Sequence, residues 1–248
     1  MNAVNFTEII PSVAEKIHPF IEEILHGHSS NVHSYHIVGS AVIPDYNEKL
    51  SDINSVVVLH NMDLKFISFL APFGQKYGKK KIAAPLVMTP DYIQDSLDAF
   101  PIEFLDFKLI HKTICGSDIF KDIEIARPHL RLQCEREVKT KLIGLRQGYI
   151  SSLGRKEHLT GVLVRSFTGS MALLRAIILL LGQEPPVLRA EVVSTFGAAT
   201  RIDMTVFGNL LLLKAGRIKP SEQELSVLFE SYYNALEATG KIIDELPA

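Results

Sequence analysis

The sequence has few cysteines, no marked excess of either charge, and no uninterrupted apolar run long enough to cross a bilayer. Cys115 and Cys134 do not have a metal-ligand spacing, so reduced thiols and a cytoplasmic location are expected. Lys and Arg total 26 against 28 Asp and Glu, which gives no general attraction to nucleic acid or to an anionic membrane. Arg165 and Arg175 interrupt the longest apolar stretch, 161–182, so it predicts a buried helix rather than a membrane span. The first residues lack a basic region followed by an apolar core, so no secretory signal is expected.

The pattern of the chain changes near residue 127. Before it, short β-rich runs alternate with helical patterns, which predicts an α/β domain over 1–126. After it, the apolar spacing is helical throughout, which predicts a helical bundle over 127–248. The predicted fold class is therefore α+β. Strands are predicted at 34–38, 52–59, 82–88 and 101–110, and the later helices at 128–149, 157–181, 186–199, 203–215 and 221–246.

Two capping boxes are predicted from the Ser-x-x-Glu pattern. One pairs Ser12 with Glu15 at the start of the first helix, and the other pairs Ser221 with Glu224 at the start of the last. A single helix is predicted over 63–77, with Pro72 as a local disturbance, and Thr89 is predicted to cap a short helix that begins at Pro90.

The most informative segment is 38–59. Gly39 and Ser40 follow the first predicted strand, and Asp52, Ile53 and Asn54 open the second. Because successive side chains of a strand point to opposite faces, Asp52 and Asn54 are predicted to share one face.

This order of residues resembles the signature of the polymerase-beta-like nucleotidyltransferase superfamily. That signature is a Gly-Ser or Gly-Gly turn, followed about a dozen residues later by Asp-x-Asp or Asp-x-Glu on a strand. The resemblance covers roughly 30–115, and the helical C-terminal part is similar to that of many bacterial small-molecule nucleotidyltransferases. It implies a mixed sheet with helices, followed by a helical domain.

The resemblance also implies roles for individual residues. Gly39 and Ser40 would form the phosphate-binding turn, and Asp52 would be the first metal ligand. Asn54 occupies the second ligand position, where the family has a carboxylate. An amide brings one carbonyl oxygen and no charge, so metal binding is expected to be weaker than with two acids.

A third acid is expected on the strand predicted at 101–110. Glu103 and Asp106 are the candidates, and in a regular strand their odd separation puts them on opposite faces, so that only one can join Asp52. Asp106 shares its face with Lys108, which slightly favours it, but the pattern leaves both open as third metal ligand or general base.

The implied function is transfer of a nucleoside monophosphate from a nucleoside triphosphate to a hydroxyl of a small-molecule or protein acceptor, with Mg²⁺ or Mn²⁺ as cofactor. The alternative is a catalytically degenerate member that binds nucleotide or a protein partner without turnover, and Asn54 is the residue that favours it. A third possibility is an interaction protein in which the helical bundle is the functional part. No membrane partner is expected, and the residues indicate neither the nucleotide nor the oligomeric state.

Histidines cluster around the start of the first strand, at 26, 28, 33 and 36. Their spacing could suit a metal if the loop folded back, but histidines of an exposed loop are usually solvated, and we expect that here.

Overall fold

The computed structural model describes residues 4–49 and 51–247, and the chain forms two compact units. The sheet unit comprises Met1–Asp98 and Phe104–Glu124, and the helical unit comprises Ala99–Glu103 and Ile125–Ala248. The protein is α+β, as predicted, with a mixed sheet and helices in the first unit and helices in the second.

The sheet has four strands in the order β3-β2-β1-β4. The central strand β1 (Val32–Val38) is antiparallel to both β2 (Asn54–Leu59) and β4 (His111–Gly116). The edge strand β3 (Leu86–Met88) is parallel to β2. An isolated parallel bridge joins Ile53, just before β2, to Ile82, four residues before β3. The strand predicted at 82–88 is therefore present only in part.

One face of the sheet packs against α1 (Pro11–His28), and we call it the α1 face. Side chains that alternate along β1 and β2, such as Tyr35, Ile37 and Val57, point to this face and are fully buried. The predicted cap of α1 at Ser12 is wrong, because the helix already begins at Pro11, whose missing N–H and fixed φ suit a first helical residue. The core of the α1 face includes Val13, Ile17, Phe20, Ile21 and Ile24 of the helix.

The strand predicted at 101–110 is also wrong, because this segment is the helix α5 (Pro101–Leu109) and the fourth strand is β4. Pro101 stands at the start of the helix, where proline is favoured. Inside the helical unit, the next N–H, that of Ile102, donates to Oε1 of Gln133 at 2.7 Å, which satisfies one of the amides that a helix start leaves unpaired. This hydrogen bond joins residues that are 31 apart in sequence, and it stabilises a helix rather than a strand at 101–109.

Three further short α-helices lie in the described part of the sheet unit. The helix predicted over 63–77 is interrupted at Pro72, and the cap at Thr89 is confirmed by a hydrogen bond from the Tyr92 N–H at 3.2 Å. The three helices are α2 (Leu64–Leu70), α3 (Phe73–Tyr77) and α4 (Pro90–Asp95).

The helical unit contains six long helices and no strand among its described residues, 99–103 and 125–247. The helix predicted over 157–181 is divided at Gly169, whose φ of +79° lies in the left-handed region. The capping box of Ser221 and Glu224 is confirmed. The helices are α6 (Arg127–Ser152), α7 (Lys156–Phe167), α8 (Ser170–Leu180), α9 (Arg189–Thr200), α10 (Thr205–Lys214) and α11 (Glu222–Glu245).

The apolar stretch Lys156–Leu180 is long and apolar enough to cross a membrane by length and composition, but 56% of its apolar 18-residue window is buried inside the protein. Arg175, within this stretch, is buried and donates from Nε to the Pro186 carbonyl at 3.0 Å and from a terminal nitrogen to the Val187 carbonyl at 2.8 Å. The stretch therefore forms two helices, α7 and α8, that contribute to the protein core, and hydrogen bonds satisfy the buried charge of Arg175.

Candidate active site on the sheet

The Gly-Ser turn leaves the central strand at the level where the second strand begins. Val38, the last residue of β1, pairs with Asn54, the first residue of β2. Gly39 has a φ of +71°, and its N–H donates to the Ile110 carbonyl at 3.0 Å. Residues Gly39–Val42 form one 3-10 turn. The turn is thus anchored by the strand and by the residue after α5.

Asp52 and Asn54 both expose their side chains, while Ile53 between them is fully buried in the core of the α1 face. The Ile53 backbone is held extended by the loop before β3, since its N–H donates to the Lys81 carbonyl at 2.7 Å and its carbonyl accepts from the Ala83 N–H at 3.0 Å. This agrees with the predicted alternation. Asp52 and Asn54 therefore lie on the opposite face of the sheet from α1.

The two acids considered for a third ligand lie on α5 rather than on a strand. The argument that they point to opposite faces is therefore wrong, because residues three apart in a helix lie on the same side. Glu103 belongs to the helical unit, where its Oε2 accepts a hydrogen bond from Nε2 of Gln133 at 2.8 Å. Asp106 belongs to the sheet unit and is half-buried.

The face of the sheet that carries Asn54 also carries His36 and His111, two residues that the sequence did not indicate as part of a site. Val38 pairs with Asn54 on one side and with His111 on the other, so these three residues form a row across β2, β1 and β4. His36 lies two residues before Val38 on the same face and is fully buried. The expectation that it is solvated is wrong.

His36 is held as a neutral ring. Its Nε2 lies 2.8 Å from Oγ of Ser34, and its Nδ1 lies 3.0 Å from Oγ1 of Thr113. Burial lowers the pKa of His36 to about 3, and the neighbouring His111 adds to this effect. The ring of Phe120 packs against it, with 4.8 Å between ring centroids.

His111 links the start of β4 to the loop that follows the strand. Its Nδ1 lies 2.6 Å from the Phe107 carbonyl of α5, and its Nε2 lies 2.8 Å from Oδ1 of Asp118. The same oxygen accepts the backbone N–H groups of Phe120 and Lys121, each at 3.2 Å. Burial alone would raise the pKa of Asp118, but the hydrogen bond and charge of His111, with the hydrogen bond from the Lys121 N–H and the effect of His36, outweigh burial, and the pKa is lowered.

The sequence gives a partial signal for the group formed by His36, His111 and Asp118. The predicted first strand already placed His36 and Val38 on one face, and Val38 adjoins the Gly39 turn. His111 and Asp118 lie outside the fourth strand predicted at 101–110, so the predicted strands do not place them on this face. The non-α1 face therefore offers two sets of donors: hard oxygens at Asp52 and Asn54, and imidazole with carboxylate at His36, His111 and Asp118.

Comparison with known proteins yields a structural relative and no sequence relative. No protein-family model matches the chain, and no curated protein sequence matches it. The structure is similar to the crystal structure of the spectinomycin adenyltransferase AAD(9) from Enterococcus faecialis with ATP and spectinomycin, with a TM-score of 0.54 and 13% sequence identity. The match covers 90% of this chain and 99% of that one. The chain therefore has the fold of a nucleotidyltransferase, with a mixed sheet followed by a helical C-terminal region.

Proposed function

We propose that the protein transfers a nucleoside monophosphate from a nucleoside triphosphate to a hydroxyl of a small-molecule or protein acceptor, with Mg²⁺ or Mn²⁺ as cofactor. The observation that carries this proposal is the exposure of Asp52 and Asn54 on one face, beside the Gly39 turn, within a nucleotidyltransferase fold. The structural relative, solved with ATP and spectinomycin, supports a nucleotide and a small molecule as the two substrates.

The donor set fits a hard divalent cation. A carboxylate and an amide carbonyl are oxygen ligands, and both side chains are exposed, so a bound ion can keep several waters and share the phosphates, as Mg²⁺ usually does. Such an ion, held by Asp52 and Asn54, would stabilise the charge that develops on the phosphate oxygens.

The Gly39 turn fits the approach of a phosphate. A Cβ built on Gly39 would meet no atom within 4 Å, so the space beside the turn is open, and the φ of +71° disfavours any other residue. The N–H of Gly39 itself is used by the Ile110 carbonyl, so the proposed donors to the phosphate are the Ser40 hydroxyl and the amides that follow.

In the proposed reaction, the acceptor hydroxyl oxygen forms a bond to the α-phosphorus. The bond from that phosphorus to the oxygen that bridges to the β-phosphate breaks, and pyrophosphate leaves with the electron pair. The hydroxyl proton passes to a base or to water. The Asp52 side chain is exposed beside the Gly39 turn, where these groups would meet, and its role in the proposal is to hold the cation.

A second function is favoured by Asn54, which supplies no charge at the second ligand position. In that case the chain binds the nucleotide and does not turn it over.

Labelled nucleotides separate the two functions. Each of the four α-labelled ribonucleoside triphosphates is incubated with the protein, Mg²⁺ or Mn²⁺, and either spectinomycin or a pool of metabolites and lysate proteins. Label on an acceptor, lost in Asp52→Asn and kept in the exposed control Asp98→Asn, supports the transferase. Metal-dependent nucleotide binding without transfer supports the second function, and absence of both rejects the site.

A further inference from the structure

Three potential metal ligands other than Asp52 and Asn54 converge on the non-α1 face. One ring nitrogen each of His36 and His111 and one carboxylate oxygen of Asp118 lie within 4.8 Å of one another. The ring centroids of the two histidines are 5.8 Å apart. All three residues belong to the sheet unit.

The hydrogen bonds of His111 fix its tautomer. A carbonyl oxygen can only accept, so Nδ1, 2.6 Å from the Phe107 carbonyl, carries a proton. The other nitrogen, Nε2, then presents either a second proton or a lone pair to Oδ1 of Asp118, 2.8 Å away. If Nε2 of His111 presents its lone pair, it and the Asp118 oxygen are both acceptors. At 2.8 Å the two then need a proton or a metal ion between them.

From this geometry we propose that His36, His111 and Asp118 bind a divalent transition-metal ion of the zinc class. Two imidazoles and a carboxylate form a common ligand set for zinc, and a ligating histidine usually donates its other N–H to a carbonyl or carboxylate, as His111 does to Phe107. His36 is kept as a neutral ring by burial, which is the form that binds metal.

A bound ion requires small movements of the ligand atoms, which now lie within 4.8 Å of one another, and it replaces one hydroxyl hydrogen bond of His36. Zinc with ligands at about 2.0 Å in tetrahedral geometry separates them by roughly 3.3 Å, which is about 0.5 Å more than the present distance from His111. The Asp118 side chain is 38% exposed and lies on a loop, whereas both histidines lie on strands. Three protein ligands leave the fourth position of a tetrahedral ion for water.

The site is distinct from that proposed for nucleotide transfer. His111 and Asn54 lie on strands separated by β1, which corresponds to roughly 10 Å at the usual strand spacing, while His36 lies on β1 and pairs with Val56 of β2. Imidazole ligands disfavour magnesium, so the two sites differ in the metal that they select.

Titration of the metal-free protein with Co²⁺, followed by visible absorption, tests the proposal directly. We expect the intense bands of four-coordinate cobalt, displaced by Zn²⁺ and unaffected by excess Mg²⁺. In Asp118→Asn and in His111→Gln we expect affinity to fall at least about tenfold. Asp118→Asn changes one atom at a partly exposed position, and its thermal unfolding without metal shows whether it is folded.

The matched control is His60→Gln. His60 and His33 form a separate pair, with ring centroids 5.2 Å apart, that could itself attract a metal ion. Unchanged cobalt binding in His60→Gln, together with its loss in the two ligand variants, supports the proposal. Absence of the bands in the wild type, loss only in His60→Gln, or equal binding in all variants overturns it. None of these outcomes depends on nucleotide transfer.

Discussion

Val38 and Asn54 are paired across β1 and β2, and this single pairing assembles the candidate site. Gly39 follows Val38 directly, so the Gly-Ser turn begins where the Asn54 side chain is exposed. Asp52 lies two residues earlier on the same face, because buried Ile53 fixes the alternation. The strand register thus brings together two motifs that the intervening loop separates in sequence.

The substitution Asn54→Asp should tighten binding of Mg²⁺ or Mn²⁺ in the presence of ATP. It introduces a second carboxylate beside Asp52, and a carboxylate adds both a charge and a second oxygen to the ligand set. We expect at least a tenfold gain, about 1.4 kcal/mol, measured by calorimetric titration of metal into protein with ATP.

Asn61→Asp is the control for Asn54→Asp. Asn61 follows the opposite end of β2 and is also exposed, so its substitution adds the same charge far along the strand. Equal gains in the two variants would mean a general charge effect, and equal affinities of Asn54→Asp and wild type would show that position 54 is not a ligand position.

How much of the site is visible in the sequence depends on the range of the interactions involved. The alternation of Asp52, Ile53 and Asn54 is a local property of a strand, and it could be predicted. The segment 101–110 could not be assigned from its alternation, because its apolar residues suit a strand and a helix alike. Pro101 was the local signal for a helix start, and the deciding contact comes from Gln133, which is distant in sequence.

The histidines illustrate the same limit. The sequence predicts a solvated His36, as one of four histidines taken to lie in an exposed loop. A neutral polar ring can be buried only where partners satisfy both nitrogens. Those partners are Ser34 on its own strand and Thr113 on β4. Thr113 lies outside the fourth strand predicted at 101–110, so the sequence does not indicate it as a partner of His36.

Replacement of Gln133 by Leu should destabilise the protein by about 1–3 kcal/mol. The leucine keeps the volume of this buried side chain but removes the acceptor of the Ile102 N–H and the donor to Glu103. Gln147→Leu, at an exposed position of the same helix, should change stability by less than about 0.5 kcal/mol. Urea unfolding curves of the two variants measure the difference, and coincident midpoints would contradict the role of Gln133 as a cap of α5.

Gly116→Ala should be much more damaging than Gly154→Ala. Both glycines have a left-handed φ, +77° and +72°. A Cβ on Gly116 would lie 2.0 Å from the His33 carbonyl oxygen, whereas a Cβ on Gly154 would meet nothing within 4 Å.

The Gly154 variant therefore measures the conformational cost alone, about 1–2 kcal/mol. The Gly116 variant must also separate β4 from β1, and we expect a loss of more than about 3 kcal/mol. Thermal unfolding of the soluble variants tests this, and similar losses in the two would show that β1 and β4 approach less closely.

The last prediction compares two tyrosines of the α1 face. Tyr35 donates from its hydroxyl to Oγ of Ser55 at 2.8 Å. Tyr46 packs its ring against the same core, but its buried hydroxyl oxygen has no hydrogen-bond partner among residues 4–49 and 51–247. Burial raises the pKa of both phenols, so each stays protonated at neutral pH.

Substitution by Phe should therefore have opposite effects at the two positions. Tyr35→Phe leaves the buried Ser55 hydroxyl without its donor and should cost about 1 kcal/mol. Tyr46→Phe removes an unsatisfied polar atom while it keeps the ring, so it should leave the free energy of unfolding unchanged or raise it by about 1 kcal/mol. Urea unfolding of both variants under one set of conditions gives the comparison. A loss of stability in Tyr46→Phe similar to that in Tyr35→Phe would show that the Tyr46 hydroxyl is hydrogen-bonded in solution, with a water molecule as its partner.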